Sequence, residues 1–341
     1  MKRKKETGGL NLELALIMAL LVLTVVFGLS WMGTEIAVSF SDAADYLISG
    51  GKGVQPVLES QTLNPDGTIE LSWTGGEGPY QVVIAGLEDM SDGVVIESDI
   101  TSPYTIKQSD LAEGVNYITI RDIQGDDIEE PLGVGVEIDN VFTTTNYAGW
   151  WMAEGIGTWN NYRNNTISTF VGNDGSVTYT HVSVEATSIY FNSSSDWVRI
   201  GRAFLPFDTS SIPDNAVISE AQIGLYPETA IPEVNIHVVS MSDPSTTTNY
   251  GLSDFGVTSA GFFPANTGAV NTLSYFDLDT TIIPINIVGQ TNIALRSEND
   301  LYNIEPTTPD ESLAARFWRI ANMGTDTFRA RLKLSYIWIV E

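Results

Sequence analysis

Cysteine is absent from the chain, which excludes disulfides, thiolate metal sites and cysteine nucleophiles. Histidine is nearly absent: His181 and His237 are the two present, too few for a multi-histidine metal site. Positive charge is scarce, with 16 Lys and Arg against 43 Asp and Glu and a formal net charge of −27. Nucleic-acid binding needs a basic footprint, so this balance argues against it. Four of the few cations, Lys2, Arg3, Lys4 and Lys5, sit together at the N-terminus and leave the remainder more acidic still. There is no GxSxG elbow, no HExxH pair and no phosphate loop, and nothing singles out one carboxylate pair among so many acids. An enzyme is therefore not expected. Apolar residues are plentiful: 43% of the 341 residues are hydrophobic and 10% aromatic, enough for real cores and too much for disorder.

Residues 14–33 are apolar throughout apart from Thr24 and Ser30. At 1.5 Å per residue a helix of about 20 residues spans a hydrocarbon core of ~30 Å. A basic flank on one side only places the N-terminus in the cytoplasm and the rest outside. A secretory signal peptide has an apolar core of about 7–15 residues and a small-x-small cleavage site, and this segment shows neither. A signal anchor fits the length but leaves Glu13, at the cytoplasmic edge of the run, unexplained.

The order of basic cluster, Gly8, Gly9 and then Glu13 ahead of a long apolar helix resembles the leader of type IV pilin-like proteins. The resemblance implies that a prepilin peptidase cuts between Gly8 and Gly9 and keeps the apolar segment. Glu13 then becomes the fifth residue of the mature chain, where that family carries its glutamate. The run ELALIMALLVLTVVFGLSWMGTEIAVSFSDAADYL is similar to the helix of Flp/Tad pilins, including Gly33, Thr34, Ile36 and Phe40. Leu14 departs from the Tyr usual there. Physical chemistry agrees with the implied role. A lone carboxylate in hydrocarbon is costly, and the α-amine created at Gly9 of a neighbouring subunit would neutralise it. Gly28, Gly33, Ala15, Ala19 and Ala37 would allow close helix approach. Phe40, Ala43, Ala44 and Leu47 continue one helical face, and Gly50, Gly51 and Gly53 end it.

From residue 57 to 142, short alternating runs follow turn signals at roughly ten-residue spacing. TIELSW puts Ile69, Leu71 and Trp73 on one face, and PYQVVIA groups Tyr80, Val82 and Ile84. The order LSWTGGEGPY…YTI…NYITIRD resembles bacterial Ig-like spacer modules, which implies a β-sandwich with Trp73 in its core. Residues 143–341 carry almost no helical pattern beyond a short turn near 312–315, and strands such as AQIGLY and RARLKLSYIWIV dominate. This fits a jelly roll. GRAFLPFDTSSIPDNAVISEAQIGLY is similar to the DNRLRE-type family through Arg202, Leu205, Phe207, Asp208, Ile212, Pro213, Ile218, Ala221, Ile223, Leu225 and Tyr226. Some relatives of that family are carbohydrate-binding modules.

The aromatic cluster Tyr147, Trp150, Trp151, Trp159 and Tyr162 has two readings. Trp150, Trp151, Trp159 and Tyr162 are candidate glycan contacts; the alternative, which we favour, has them filling a core or a domain junction. Asp277 with Asp279, and Asn173 with Asp174, are candidate oxygen ligands for a structural Ca²⁺. Asn164-Asn165-Thr166 and Asn192-Ser193-Ser194 match the glycosylation sequon.

The expected organisation is a mainly β protein: leader 1–8, transmembrane and polymerisation helix 9–50, Gly-rich hinge 51–56, Ig-like sandwich 57–142 and jelly roll 143–341. The expected function is a pilin-like subunit that enters the cytoplasmic membrane as a precursor, meets prepilin peptidase and the assembly machinery, and self-assembles into an extracellular helical filament. The alternative is a membrane-anchored or filament-tip adhesin that binds a glycan through the jelly roll. A secreted polysaccharide enzyme stands third.

Overall fold

The computed structural model describes residues 54–144, 149–156, 158–164, 169–172, 183–192, 196–226, 234–242, 255–265, 272–305, 318–321 and 329–341. The expected leader, the expected helix with Glu13, the hinge up to residue 53, Tyr147, the Asn173–Asp174 turn and the turn near 312–315 lie outside them, as do parts of both sequons.

The chain is mainly β, in antiparallel strands. It divides into two compact units: one of the described residues up to Thr62 with Glu70–Ile106 and Tyr117–Leu132, the other of Leu63–Ile69, Lys107–Asn116 and Gly133–Glu341.

Strands β1 (Val57–Leu63), β2 (Ile69–Thr74), β3 (Tyr80–Ala85), β4 (Val94–Ile100), β5 (Tyr104–Ile106) and β6 (Gly114–Arg121) come first. They hydrogen-bond in the orders β1-β2-β5 and β6-β3-β4. β2 alternates as its sequence predicts: Ile69, Leu71 and Trp73 are buried while Glu70 and Thr74 are exposed. Trp73 meets Tyr80 edge-on at 5.5 Å, and the Tyr80 hydroxyl donates to the Gly75 carbonyl at 2.8 Å. β3 departs from simple alternation. Val82 and Val83 are both fully buried and Ile84 is half-buried. Gly93 explains the second buried face: a Cβ there would stand 2.9 Å from Val83 Cγ1, so the loop before β4 lies against it. β4 is a sheet edge, and pairing with β3 skips Ile96 and Asp99, two bulges of the kind that twist an edge strand.

The second unit contains β7 (Leu132–Thr143), β8 (Gly149–Ile156), α1 (Trp159–Arg163), β9 (Thr169–Gly172), β10 (Ser183–Asn192), β11 (Asp196–Asp208), β12 (Val217–Leu225), β13 (Ile236–Ser240) and β14 (Gly261–Phe263). It continues with β15 (Ser274–Asp277), β16 (Gln290–Ser297), α2 (Glu298–Tyr302), β17 (Trp318–Ala321) and β18 (Arg331–Ile339). One sheet runs β14-β13-β16-β11-β10-β17, with β8 pairing β11 and β9; another runs β15-β12-β18-β7. A single core joins them. Leu205 and Phe207 of β11, Val238 of β13 and Leu295 of β16 pack with Ile223 of β12, Leu332 and Leu334 of β18 and Phe142 of β7. This is a β-sandwich.

The motif Arg202-x-x-Leu205-x-Phe207-Asp208 explains itself locally. Leu205 and Phe207 are fully buried at period two, and Asp208 Oδ1 accepts the Ser210 amide at 3.1 Å and its hydroxyl at 2.6 Å, closing the turn before Ile212. Two short helices, α1 and α2, interrupt the strands where the sequence showed no helical pattern. Five residues are too few for a 3.6-residue period to register, so local caps define them. For α2 the Ser297 hydroxyl accepts the Asp300 amide at 3.4 Å, and Asn303 closes the helix at φ 57°.

Candidate functional site

β11, β13 and β16 turn one face to the sandwich core, so period two sends Ile200, Arg202, His237, Val239, Ala294 and Arg296 to the other. That outer face is covered as well. Trp159, Phe255 and Leu301 pack with Ile200, Val239 and Ala294 in a second apolar cluster. Its polar centre is Asp300, whose side chain is fully buried with those of Arg202 and Arg296. Arg202 donates from Nε to Oδ2 and from Nη2 to Oδ1, both at 2.7 Å, and Arg296 Nε donates to Oδ2 at 2.8 Å. The Asp300 carbonyl accepts from Arg163 Nε at 2.8 Å and from Arg296 Nη2 at 3.0 Å. The Arg202 guanidinium also stands 5.4 Å from the centre of the Phe255 ring.

Burial alone would push the Asp300 carboxyl up. The two guanidiniums outweigh it and hold the group down at about 2. It is therefore ionised at neutral pH and both its oxygens are engaged, so it is unsuited to acid–base work. The cluster is a clasp that fixes α1 and α2 on the sheet.

His237 lies beside it, 5% exposed, its ring 5.6 Å from Phe262 and 5.2 Å from Tyr302. Nδ1 is 2.8 Å from the Ser259 hydroxyl, and that hydroxyl donates to the Gly261 carbonyl at 2.8 Å. Ser259 has one proton to give, so Nδ1 carries the ring proton and buried Nε2 keeps a bare lone pair. Burial pushes the His237 pKa down, against a smaller upward pull from Glu298. A folded-state pKa below the unfolded value of about 6.5 gives stability that is complete above that pH and is lost as pH falls. The second unit is expected to lose thermal stability as pH falls below about 6.5, and His237→Asn to flatten that slope. Unfolding midpoints across that range check this, and equal slopes in both proteins would contradict it.

Of the candidate glycan contacts, Trp159 is 2% exposed and its Nε1 donates to Asn303 Oδ1 at 3.1 Å, joining α1 to the end of α2. Packed in the core, it has no ring face for a sugar. Tyr162 is half-buried against the same cluster. Trp150 and Trp151 lie in β8, in register with Ala203 and Arg202. Among the Ca²⁺ candidates, Asp277 Oδ1 accepts Gln222 Nε2 at 2.6 Å, and Asp279 Oδ1 accepts the Thr281 amide at 2.9 Å in a local turn. Among the described residues no three His, Asp or Glu side chains group as a metal site. Sequence reasoning missed Asp300 and Arg296. The one local signal was Ser297 followed three residues later by Asp300, an N-cap pattern.

No family model matches the chain, and no curated protein matches it. One solved structure, of carbohydrate-binding modules from the β-sandwich superfamily, aligns over 85% of this chain and 100% of its own at 12% identity and a TM-score of 0.20. A score that low carries no argument about ligand.

Proposed function

We propose that the chain is a structural, non-enzymatic subunit of an extracellular type IV-like filament of the Flp/Tad kind, with its β units displayed outside a helical core. One observation carries the reading: Gly8-Gly9 after a basic cluster, with Glu13 at the fifth mature position ahead of a membrane-length apolar run. On this reading the first unit is an Ig-like spacer, supported by strand orders β1-β2-β5 and β6-β3-β4, and the second a jelly roll. Prepilin peptidase and the assembly machinery are the partners, and the cytoplasmic membrane holds the precursor. Gly8→Lys should leave an uncut, membrane-bound precursor and no filaments, read by immunoblot and electron microscopy. Normal processing of that variant would remove the leader reading.

A second reading, a membrane-anchored or filament-tip adhesin that binds a glycan through the second unit, is favoured by a half-exposed aromatic ring on the outer face of the β15-β12-β18-β7 sheet, where Tyr275 lies against Gly224.

A further inference from the structure

The inner residues of β12 and β18, Ala221, Ile223, Leu225, Leu332 and Leu334, fill the sandwich core, so Gln222, Gly224, Arg331 and Lys333 face outward. Register places them in two rows. Gln222 is opposite Asp277 of β15 and Lys333 of β18, and Gly224 is opposite Tyr275 and Arg331. The glycine is there for space. A Cβ on it would stand 2.6 Å from Tyr275 Cε1 and 2.9 Å from Cδ1, so the Tyr275 ring rests on the bare backbone of β12. Lys333 Nζ is 4.9 Å from the centre of that ring and 3.1 Å from Asp139 Oδ1. Arg331 reaches over Tyr226, its guanidinium 5.9 Å from the ring centre.

Gln222 Nε2 donates to Asp277 Oδ1 at 2.6 Å. A groove of about 330 Å³ adjoins, lined by Ser219, Glu220, Gln222, Asp277 and Thr280. That is within the range of small-molecule sites, roughly 300–1,000 Å³.

The chemistry of the surface selects its ligand. An aromatic ring needs an apolar face to stack on it. Donors (Lys333, Arg331) stand by the ring and acceptors (Asp277, Glu220) line the groove, so the ligand must both give and take hydrogen bonds. Asp139 already answers Lys333 and the chain carries a net charge of −27, so the site holds no surplus of positive charge for an anion. We propose that this face binds an uncharged glycan, one pyranose ring stacking on Tyr275 and its hydroxyls held by the Gln222, Asp277 and Glu220 side chains along the groove.

This rests on the glycan-binding reading of the second unit and is independent of filament assembly. The test is binding of the full chain, purified in a detergent without a sugar headgroup, to immobilised neutral hexasaccharides of glucan, xylan, mannan and galactan, with polygalacturonate as the charged probe. Binding to at least one neutral glycan is expected. Tyr275→Ala should weaken it about tenfold or more, Gln222→Ala by less, and Tyr275→Phe should retain it. Unchanged thermal unfolding of the Ala variants shows that the loss is at the site. Neutral-glycan binding that survives both Ala substitutions would overturn this site while leaving glycan binding intact. Binding to polygalacturonate alone would overturn the uncharged assignment, and binding to no probe would overturn both the site and the reading beneath it.

Discussion

Asp300→Ala is expected to destabilise the second unit by about 3–5 kcal/mol, because it leaves two buried guanidiniums without their carboxylate. Arg202 and Arg296 are fully buried, and neither can turn to water without displacing α2 or the Phe255 packing. Domain stability is itself only about 5–15 kcal/mol, so much of the unit's margin disappears. Urea unfolding should show a large fall in midpoint, whereas Asp279→Ala, at an exposed turn, should change it little. A loss below about 1 kcal/mol for Asp300→Ala would contradict the clasp. The pH dependence has a definite sign. Asp300 is held at about 2, below its ordinary 3.8, so its contribution is complete above pH 4 and is lost as pH falls toward 2. The His237 contribution begins to fall earlier, from about pH 6.5, so the two groups are lost in order as the pH is lowered.

The larger biological effect is expected from Glu13→Leu. A carboxylate at the edge of the hydrocarbon needs a cation, and the α-amine that cleavage creates on Gly9 of a neighbour is the partner the leader reading supplies. Leu at position 13 removes the charge, so the variant should insert at least as stably in the membrane. Assembly should fail, because the neighbour's amine is then left unpaired, at roughly 3–5 kcal/mol per subunit contact. The expected phenotype is abundant membrane-bound subunit with few or no filaments. A signal-anchored adhesin gives the reverse, with unchanged surface display and unchanged binding. Counting filaments by electron microscopy beside the total membrane-bound protein decides between them.

What could be read in the sequence was local. β2 showed its alternation because one face meets a core and the other meets water. The turn at Asp208 and Ser210 showed because its hydrogen bonds span two residues. Features that depend on distant partners were hidden. Arg202 and Asp300 are 98 positions apart, and each alone looks like a surface charge until α2 packs on the sheet and sets Asp300 against Arg202. Trp159 is buried, in line with the core reading favoured for its aromatic cluster, but the five-residue helix that carries it there left no periodic signal. β3 looked half-exposed because nothing local to it reveals that the loop holding Gly93 covers Val83. Gly224 and Tyr275 attracted no notice for the same reason: a glycine within a strand acquires meaning only when register places a ring over it.

The most direct test of the filament reading is mass spectrometry of filaments sheared from the cell surface. The account predicts this chain as an abundant component whose N-terminal peptide begins at Gly9. Filaments lacking the chain, or surface material that retains the peptide from Met1 to Gly8, would contradict it.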